Sequence, residues 1–457
     1  MSVVVPDAVA ERVHKWLGDI PAGWSGARLF EVADAWTSNV DKHTVEGQPS
    51  VRLCNYVDVY KNDSIVDSLD FMAASATHDQ IRKFRIRQGD TLITKDSETA
   101  DDIGVPAFVE YEAEDLVCGY HLAIIRPHGR KVVPRFLYWA LDSEPIARQW
   151  SVTAAGVTRV GIRSTDLNKV TIPLPPPDEQ RAIADYLDHE TAQIDVLVAK
   201  QEEFVGLLQE RRGAVRDKLM TAGVVQGRSV EATGSAWLSE LPRGWRAVPT
   251  RRLLELGPSN GVSPEAGRVG DLRSLSIGAV RNGRVRLADD VTKYVDRAAV
   301  SDISRLRLEP GDVLIVRGNG NISLVGRAGL VGDEFGQQEY IYPDLLIRIR
   351  TTPDMLPEFF VAAFDAPASR AQIELLARTT VGTFKVSAAD VKSIVLPRPP
   401  IDEQHAIVEH INEQTTRIDA LIAKAEEHIV LAKERRSALV TAAVTGQIDV
   451  RTARKAS

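Results

Sequence analysis

The chain has only two cysteines in 457 residues, Cys54 and Cys118. Two thiols cannot build a disulfide framework or a cysteine-rich metal site, and they point to a reducing compartment. Long apolar runs are missing as well: no stretch reaches the ~18 apolar residues of a membrane span. The N-terminus, MSVVVPDAVAERVHKW, carries Asp7 and Glu11 where a signal peptide wants a basic start and an apolar run. The expectation is a cytoplasmic protein, neither exported nor membrane-embedded. An excess of positive charge is also absent. A formal net charge of −7 excludes a protein that coats nucleic acid by neutralising phosphates wholesale, so any DNA contact must use local patches.

Catalytic signatures are missing too. There is no GxxxxGKS, GxSxG, HExxH or GxGxxG, and no Asn/Asp-Pro-Pro-aromatic motif of a DNA methyltransferase. His405, Glu409 and His410 come nearest to a zinc site, but the spacing is one residue too long for HxxEH, and the set reads as a solvated helix face. No catalytic residue, metal site or cofactor is expected in this chain.

What is present is a duplication. WLGDIPAGW from Trp16 returns as WLSELPRGW from Trp237, 221 residues later. RIRQGDTLIT ending at Thr94 returns as RLEPGDVLIV ending at Val316, PLPPPDEQRAI as PRPPIDEQHAI, and IDVLVAK from Ile194 as IDALIAK from Ile418. QERRGAV ending at Val215 returns as KERRSAL ending at Leu439, in unchanged order. Each copy changes character at its proline cluster. Upstream, Gly-Asp and Asn-Gly turns and short apolar runs such as Thr91 to Thr94 and Val313 to Val316 predict strands in an α+β domain. Downstream, Asp178-Glu179 and Asp402-Glu403 predict helix starts, with the Asp as cap, followed by more than forty residues without proline. The expected boundaries are a first domain over 1–175, a long helix over 176–222, a second domain over 223–400, a second helix over 401–446 and a tail over 447–457.

In the first helix Leu187, Ile194, Gln201, Leu208 and Val215 fall at seven-residue steps, with Leu197 and Phe204 on the adjacent seam. In the second, Ile411, Ile418, Ala425, Ala432 and Leu439 form one seam and Leu421 the other, with Gln414, His428 and Arg435 as interruptions. A single such stripe is ordinarily a helix packed on its own domain. Two matched helices of ~65 Å at 1.5 Å per residue are longer than a domain needs, and predict a paired spacer between two globular domains.

The copies diverge where a reader of DNA would. After the matched Gly-Asp strand, the first continues Lys95-Asp96-Ser97-Glu98 and the second Arg317-Gly318-Asn319-Gly320-Asn321, with Arg327 following. Arg, Lys and Asn suit base edges and phosphates. The run Arg82-Lys83-Phe84-Arg85-Ile86-Arg87 alternates basic and apolar, so a strand would present its cations on one face. Gly156-Val157-Thr158-Arg159 with Arg163, and Gly382-Thr383-Phe384-Lys385, add further candidates. So does an arginine-rich stretch from Arg243 to Arg286 that includes Arg273, Arg281 and Arg284.

Two α+β regions, each closed by a PxPPxxEQ-type segment and an IDxLxAK…ERR helix, resemble the specificity subunit of type I restriction-modification systems across nearly the whole chain. LCNYVDVYKND from Leu53, GDTLITKDSETADDIGVPA from Gly89 and CGYHLAIIRP from Cys118 look like one type of target recognition domain. The resemblance implies two tandem target recognition domains, each followed by a long helix. The helices would pair as an antiparallel coiled-coil spacer with pseudo-twofold symmetry, setting the gap in a bipartite DNA site. It also implies two modification subunits that methylate adenine N6 with S-adenosylmethionine, and restriction subunits using ATP and Mg. Catalysis would belong to those partners, and the adenine would be taken out of the stack to be methylated. Two other readings stand beside it: a coiled-coil scaffold without sequence-specific DNA binding, and a DNA-cleaving or modifying enzyme with an unrecognised site.

Overall fold

The computed structural model describes residues 8–453 apart from 157, 226, 269, 270 and 381. Val157 of the predicted Gly-Val-Thr-Arg segment and residues 454–457 of the predicted tail lie outside the described residues. Two compact units result, one from Met1–Glu202 with Glu426–Ser457, the other from Glu203–Ala425. Each unit contains one mixed domain and about half of each long helix, Pro177–Ala222 and Ile401–Val444.

In the first unit the central sheet runs in the order Ala33–Thr37, Leu122–Pro127, Thr91–Thr94, Pro106–Val109, Ser64–Ile65, with a smaller sheet of Met72–Ser75, Ser50–Cys54 and Leu116–Cys118. In the second unit the same plan returns. Leu254–Asn260, Leu346–Thr351, Val313–Val316, Ala328–Leu330 and Gly283–Val285 form the main sheet with Val280–Arg281 at its edge, and Thr292–Val295, Leu272–Leu275 and Tyr340–Ile341 form the smaller one. Thr91–Thr94 and Val313–Val316 are the predicted strands, and both are buried along their whole length because helices and neighbouring strands cover both faces.

The repeated sequence motifs turn out to be joints. Gly89 and Gly311 adopt φ of 91° and 86°, a backbone that favours glycine, and each is followed by a buried aspartate. Asp90 takes both nitrogens of a fork from Arg126 at 2.8 and 2.7 Å, and Asp312 takes Arg350 at 3.0 and 2.8 Å. The second tryptophan of each WxxxxPxGW motif donates its indole N–H to the glutamate of DEQ: Trp24 to Glu179 at 2.9 Å, Trp245 to Glu403 at 2.8 Å. The buried glutamines complete the joint. Gln180 accepts from the Val133 backbone N–H and donates to the Pro175 carbonyl, and Gln404 accepts from Leu356 and donates to Pro399 and Asp354. A buried amide bonded through both its oxygen and its nitrogen fixes the angle at which helix leaves domain. Asp178 is not the predicted cap; it lies inside the first turn and pairs with Arg181 at 2.7 Å, because Pro177 already occupies the first helical position.

Within each unit the two helix halves run antiparallel. In the first, Asp195 meets Arg436 at 3.2 Å and Glu202 meets Lys433 at 3.4 Å; in the second, Arg212 meets Asp419 at 3.4 Å. Leu187, Ile194, Leu208, Ile411 and Ile418 are buried as expected. The second seam is not where the heptads put it. Leu197, Phe204 and Leu421 are 49%, 42% and 47% exposed, and the less exposed stripe instead follows Thr191, Val198, Val205, Arg212 and Leu219, with Thr415, Ile422, Ile429 and Arg436 on the other helix. A seam alternates steps of three and four, and counting three rather than four onward from Ile194 lands on the wrong face. The inward phase carries Val198, Val205, Leu219, Ile422 and Ile429 against Leu197, Phe204 and Leu421 on the outward one, and it also lets Arg212 and Arg436 reach carboxylates.

The Arg82–Arg87 run is not a strand. Thr77 caps a helix over His78–Phe84, its hydroxyl accepting from the Gln80 N–H while Gln80 returns to the Thr77 N–H. That local capping box overrides the short alternation. Phe84 and Ile86 are nevertheless buried, at 2% and 0% exposure. Among the described residues no helix is long and apolar enough to cross a membrane.

Candidate nucleic-acid interface

Both units bring the same two predicted segments together. Asp96–Ser97 pairs with Val160–Gly161, in register Ser97 to Val160, so Arg159 borders the Lys95 loop. In the second unit Gly318–Asn319 pairs with Thr383–Lys385, in register Gly318 to Lys385 and Asn319 to Phe384. Gly318 permits this, since a Cβ there would lie 3.0 Å from the Lys385 side chain. Lys95 is no free cation. Its ammonium sits on Asp96 and 4.8 Å from the Tyr120 ring, while His121 Nδ1 lies 2.8 Å from the same Asp96 carboxylate. Arg159 and Arg163 are exposed.

Tyrosines surround this loop that sequence reading passed over. Tyr56 and Tyr60 stack with centroids 5.4 Å apart, and Tyr60 donates to Asp102 at 2.9 Å. Burial pushes the Tyr56 hydroxyl up, against the opposing pull of Ser97 and Arg159. Tyr60 and Tyr120 are 41% and 49% exposed. The i, i+4 spacing of Tyr56 and Tyr60 was the available signal: on a helix it stacks the rings.

In the second unit Arg317 is half-buried, with Nη1 donating to the Asp344 carbonyl at 3.2 Å. The Asn319 carbonyl oxygen accepts from the Asn321 N–H at 2.9 Å, and that of Asn321 from the Ser323 N–H at 3.0 Å. These bonds shape the loop through the side-chain oxygens and do not use the amide NH2 donors.

Other candidates lie elsewhere. Arg82 pairs with Asp79, Lys83 lies over the Phe84 ring, and Arg85 gives its carbonyl to Arg126. With Arg87 they sit at the opposite end of the Thr91–Thr94 strand from Lys95, about 13 Å away at 3.3 Å per residue. Arg273 packs 5.8 Å from the Tyr340 ring in the smaller sheet. Arg281, Arg284 and Arg327 line a cavity that also involves the long helices. The arginine-rich stretch is thus spread over several elements, and Arg243 and Arg286 are paired with Glu231 and Asp290.

The family model described as the type I restriction modification DNA specificity domain matches residues 55–203. The specificity subunit of the EcoKI type I restriction enzyme of Escherichia coli strain K12 is 28% identical over 333 residues, covering 72% of this chain and 68% of its own. The MjaX protein of Methanocaldococcus jannaschii, named provisionally as a type I specificity subunit, is 26% identical over 454 residues, covering 95% of this chain and 96% of its own. The chain thus contains a type I restriction modification DNA specificity domain and is similar along its length to type I specificity subunits. A solved chain from work on complex assembly and conformational transition of the type I R-M system matches the fold of this chain. Its TM-score is 0.68 at 18% identity, over 94% of this chain and all of the other. The loops at Lys95–Glu98 and Arg317–Asn321 differ between the two units, whereas the joints are shared.

Proposed function

We propose that this chain is a type I DNA specificity subunit that reads a bipartite DNA site, one half through the Lys95 and Arg159 loops of the first domain and the other through the Arg317–Asn321 and Lys385 loops of the second. The observation that carries the reading is that one scaffold presents the same two strands in both units with different side chains at their tips. The subunit itself performs no chemistry; two modification subunits methylate adenine N6, and restriction subunits add translocation and cleavage. The exposed apolar residues Val196, Leu197, Val430 and Leu431 of the first unit, and Phe204, Leu207 and Leu421 of the second, are the surface on which modification subunits dock. The test is a genome-wide map of N6-methyladenine with and without the gene. Loss of methylation at one split motif supports the reading; unchanged methylation beside an active modification subunit favours a scaffold without sequence preference.

Two finer outcomes follow. Asn319→Asp keeps the acceptor that holds the Asn321 N–H but removes the amide donors and adds repulsion toward phosphate. Binding to the cognate duplex, measured by fluorescence anisotropy, should weaken at least about tenfold, the scale of one lost base contact, with the melting temperature unchanged. Unaltered affinity would remove Asn319 from the interface. Deleting one heptad from each long helix should shorten the spacer by about 10 Å and change the number of unread base pairs while the bases read stay the same; an active variant with the original gap would refute the ruler role.

A further inference from the structure

The second unit holds a cavity of about 500 Å3 between the Val280–Val285 hairpin, the helices Pro357–Phe364 and Pro367–Leu376, and segments of both long helices. Six guanidinium groups line it, those of Arg212, Arg216, Arg281, Arg284, Arg327 and Arg370, against the carboxylates of Glu358, Asp365 and Glu374. Three of the six make bonds inside the fold. Arg212 lies 3.4 Å from Asp419, Arg327 donates from Nε to the Ser323 carbonyl at 3.1 Å, and Arg370 donates to the carbonyls of Ile322, Ser323 and Val325. Arg216, Arg281, Arg284 and Arg327 make no salt bridge with any described residue.

The hairpin forces two of these together. Asn282 and Gly283, at φ of 52° and 76°, form a tight turn that sets Arg281 directly opposite Arg284. Like charges facing across a strand pair are unfavourable unless an anion sits between them. The first unit resolves the matching corner differently. There the parallel pairing of Ser64–Ile65 with Pro106–Val109 occupies the place of Gly283–Val285 with Ala328–Leu330, and Asp63 joins Asp142 and Asp195 around Arg436. In the second unit the position next to the strand carries Gly283 in place of that acid. Asp365, the counterpart of Asp142, is half-buried, and desolvation pushes its carboxyl up, which weakens it as a counter-charge. Val361, Val408 and Ile411 supply an apolar wall beside the arginines.

We propose that this cavity binds a phosphate-bearing ligand of mononucleotide size, its phosphates held by Arg216, Arg281, Arg284 and Arg327. Guanidinium forks match phosphate oxygens two at a time, and the volume lies within the range of small-molecule sites. The phosphates come either from a free nucleotide or from a nucleic-acid backbone.

The test is isothermal titration of the full chain at low ionic strength with inorganic tripolyphosphate and, separately, with ATP. One-site binding is expected, weakened at least tenfold in R281Q/R284Q, whose side chains are exposed and carry no structural bond. N412W, which places bulk from an exposed helix position into the cavity mouth without removing a charge, should weaken it equally. Melting without ligand establishes that both variants are folded. Displacement of tripolyphosphate by a duplex of arbitrary sequence assigns the phosphates to a nucleic-acid backbone, and failure to displace assigns them to a free ligand. No saturable binding, or binding undiminished in R281Q/R284Q, overturns the proposal.

Discussion

Replacing residues 25–174 with the corresponding stretch of another recognition domain is expected to change one half of the methylated motif completely and leave the other half as it was. The limits of the exchange follow from the fold. Ser25–Arg28 pairs with Thr171–Leu174, so both strands must come from one donor, and a junction before Pro173 would divide that pair. Trp24, Glu179 and Gln180 stay with the host, and because Gln180 bonds only backbone groups of the domain, it tolerates a changed sequence. The donor must keep a carboxylate at the position of Asp142, which faces Arg436. Each altered base pair in a recognised site costs about 1–3 kcal/mol, so a few changed pairs shift occupancy by several orders of magnitude. Sequencing of methylated adenines reads the result. A change in both halves, or in neither, would contradict two independent readers.

Arg436→Met is expected to destabilise the first unit by about 3 kcal/mol near pH 8, the scale for removing one partner of a buried ion pair, and by much less near pH 4.5. Arg436 reaches Asp63, Asp142 and Asp195 together, and its guanidinium lies 5.6 Å from the Trp139 ring. One cation shared by three acids compensates none of them fully. Burial therefore still pushes the Asp142 carboxyl up to about 7, while the arginine is held in its charged form. A carboxyl whose folded pKa exceeds its unfolded value of about 3.9 costs stability as pH rises between the two values, and the cost is fully present above the higher one. Without Arg436 that folded pKa climbs further and the cost above neutrality grows, whereas near pH 4.5 the Asp142 carboxyl is protonated and the cation is less missed. Urea unfolding at the two pH values measures this. An equal loss at both would assign the role of Arg436 to packing on Trp139 instead of charge.

The duplication, the two long helices, the Gly-Asp strands and the family were all legible because each leaves a local trace: an exact run of letters, a turn residue, a seven-residue step. The joints Trp24–Glu179 and Trp245–Glu403 were half legible. Both motifs stood out as repeats, but their partners are 155 and 158 residues apart, and no local pattern links them. The Arg82–Arg87 run misled because four alternating letters weigh less than a capping box beginning five residues earlier. Lys95 was found as a basic position, yet its contact with Tyr120 depends on a loop leading to another strand.

By itself the sequence determined that two alike α+β domains alternate with two long helices, since composition, turn chemistry and periodicity act over a few residues at a time. Only the tertiary structure decided which helix face turns inward. That choice depends on where the second arginine of ERR finds its carboxylates: Arg436 meets Asp195 and Arg212 meets Asp419, each the aspartate of the other helix's Ile-Asp motif. A charge that must be paired when buried acts there together with the burial of Val198, Val205, Leu219, Ile422 and Ile429, and such a pairing exists only once distant segments have met.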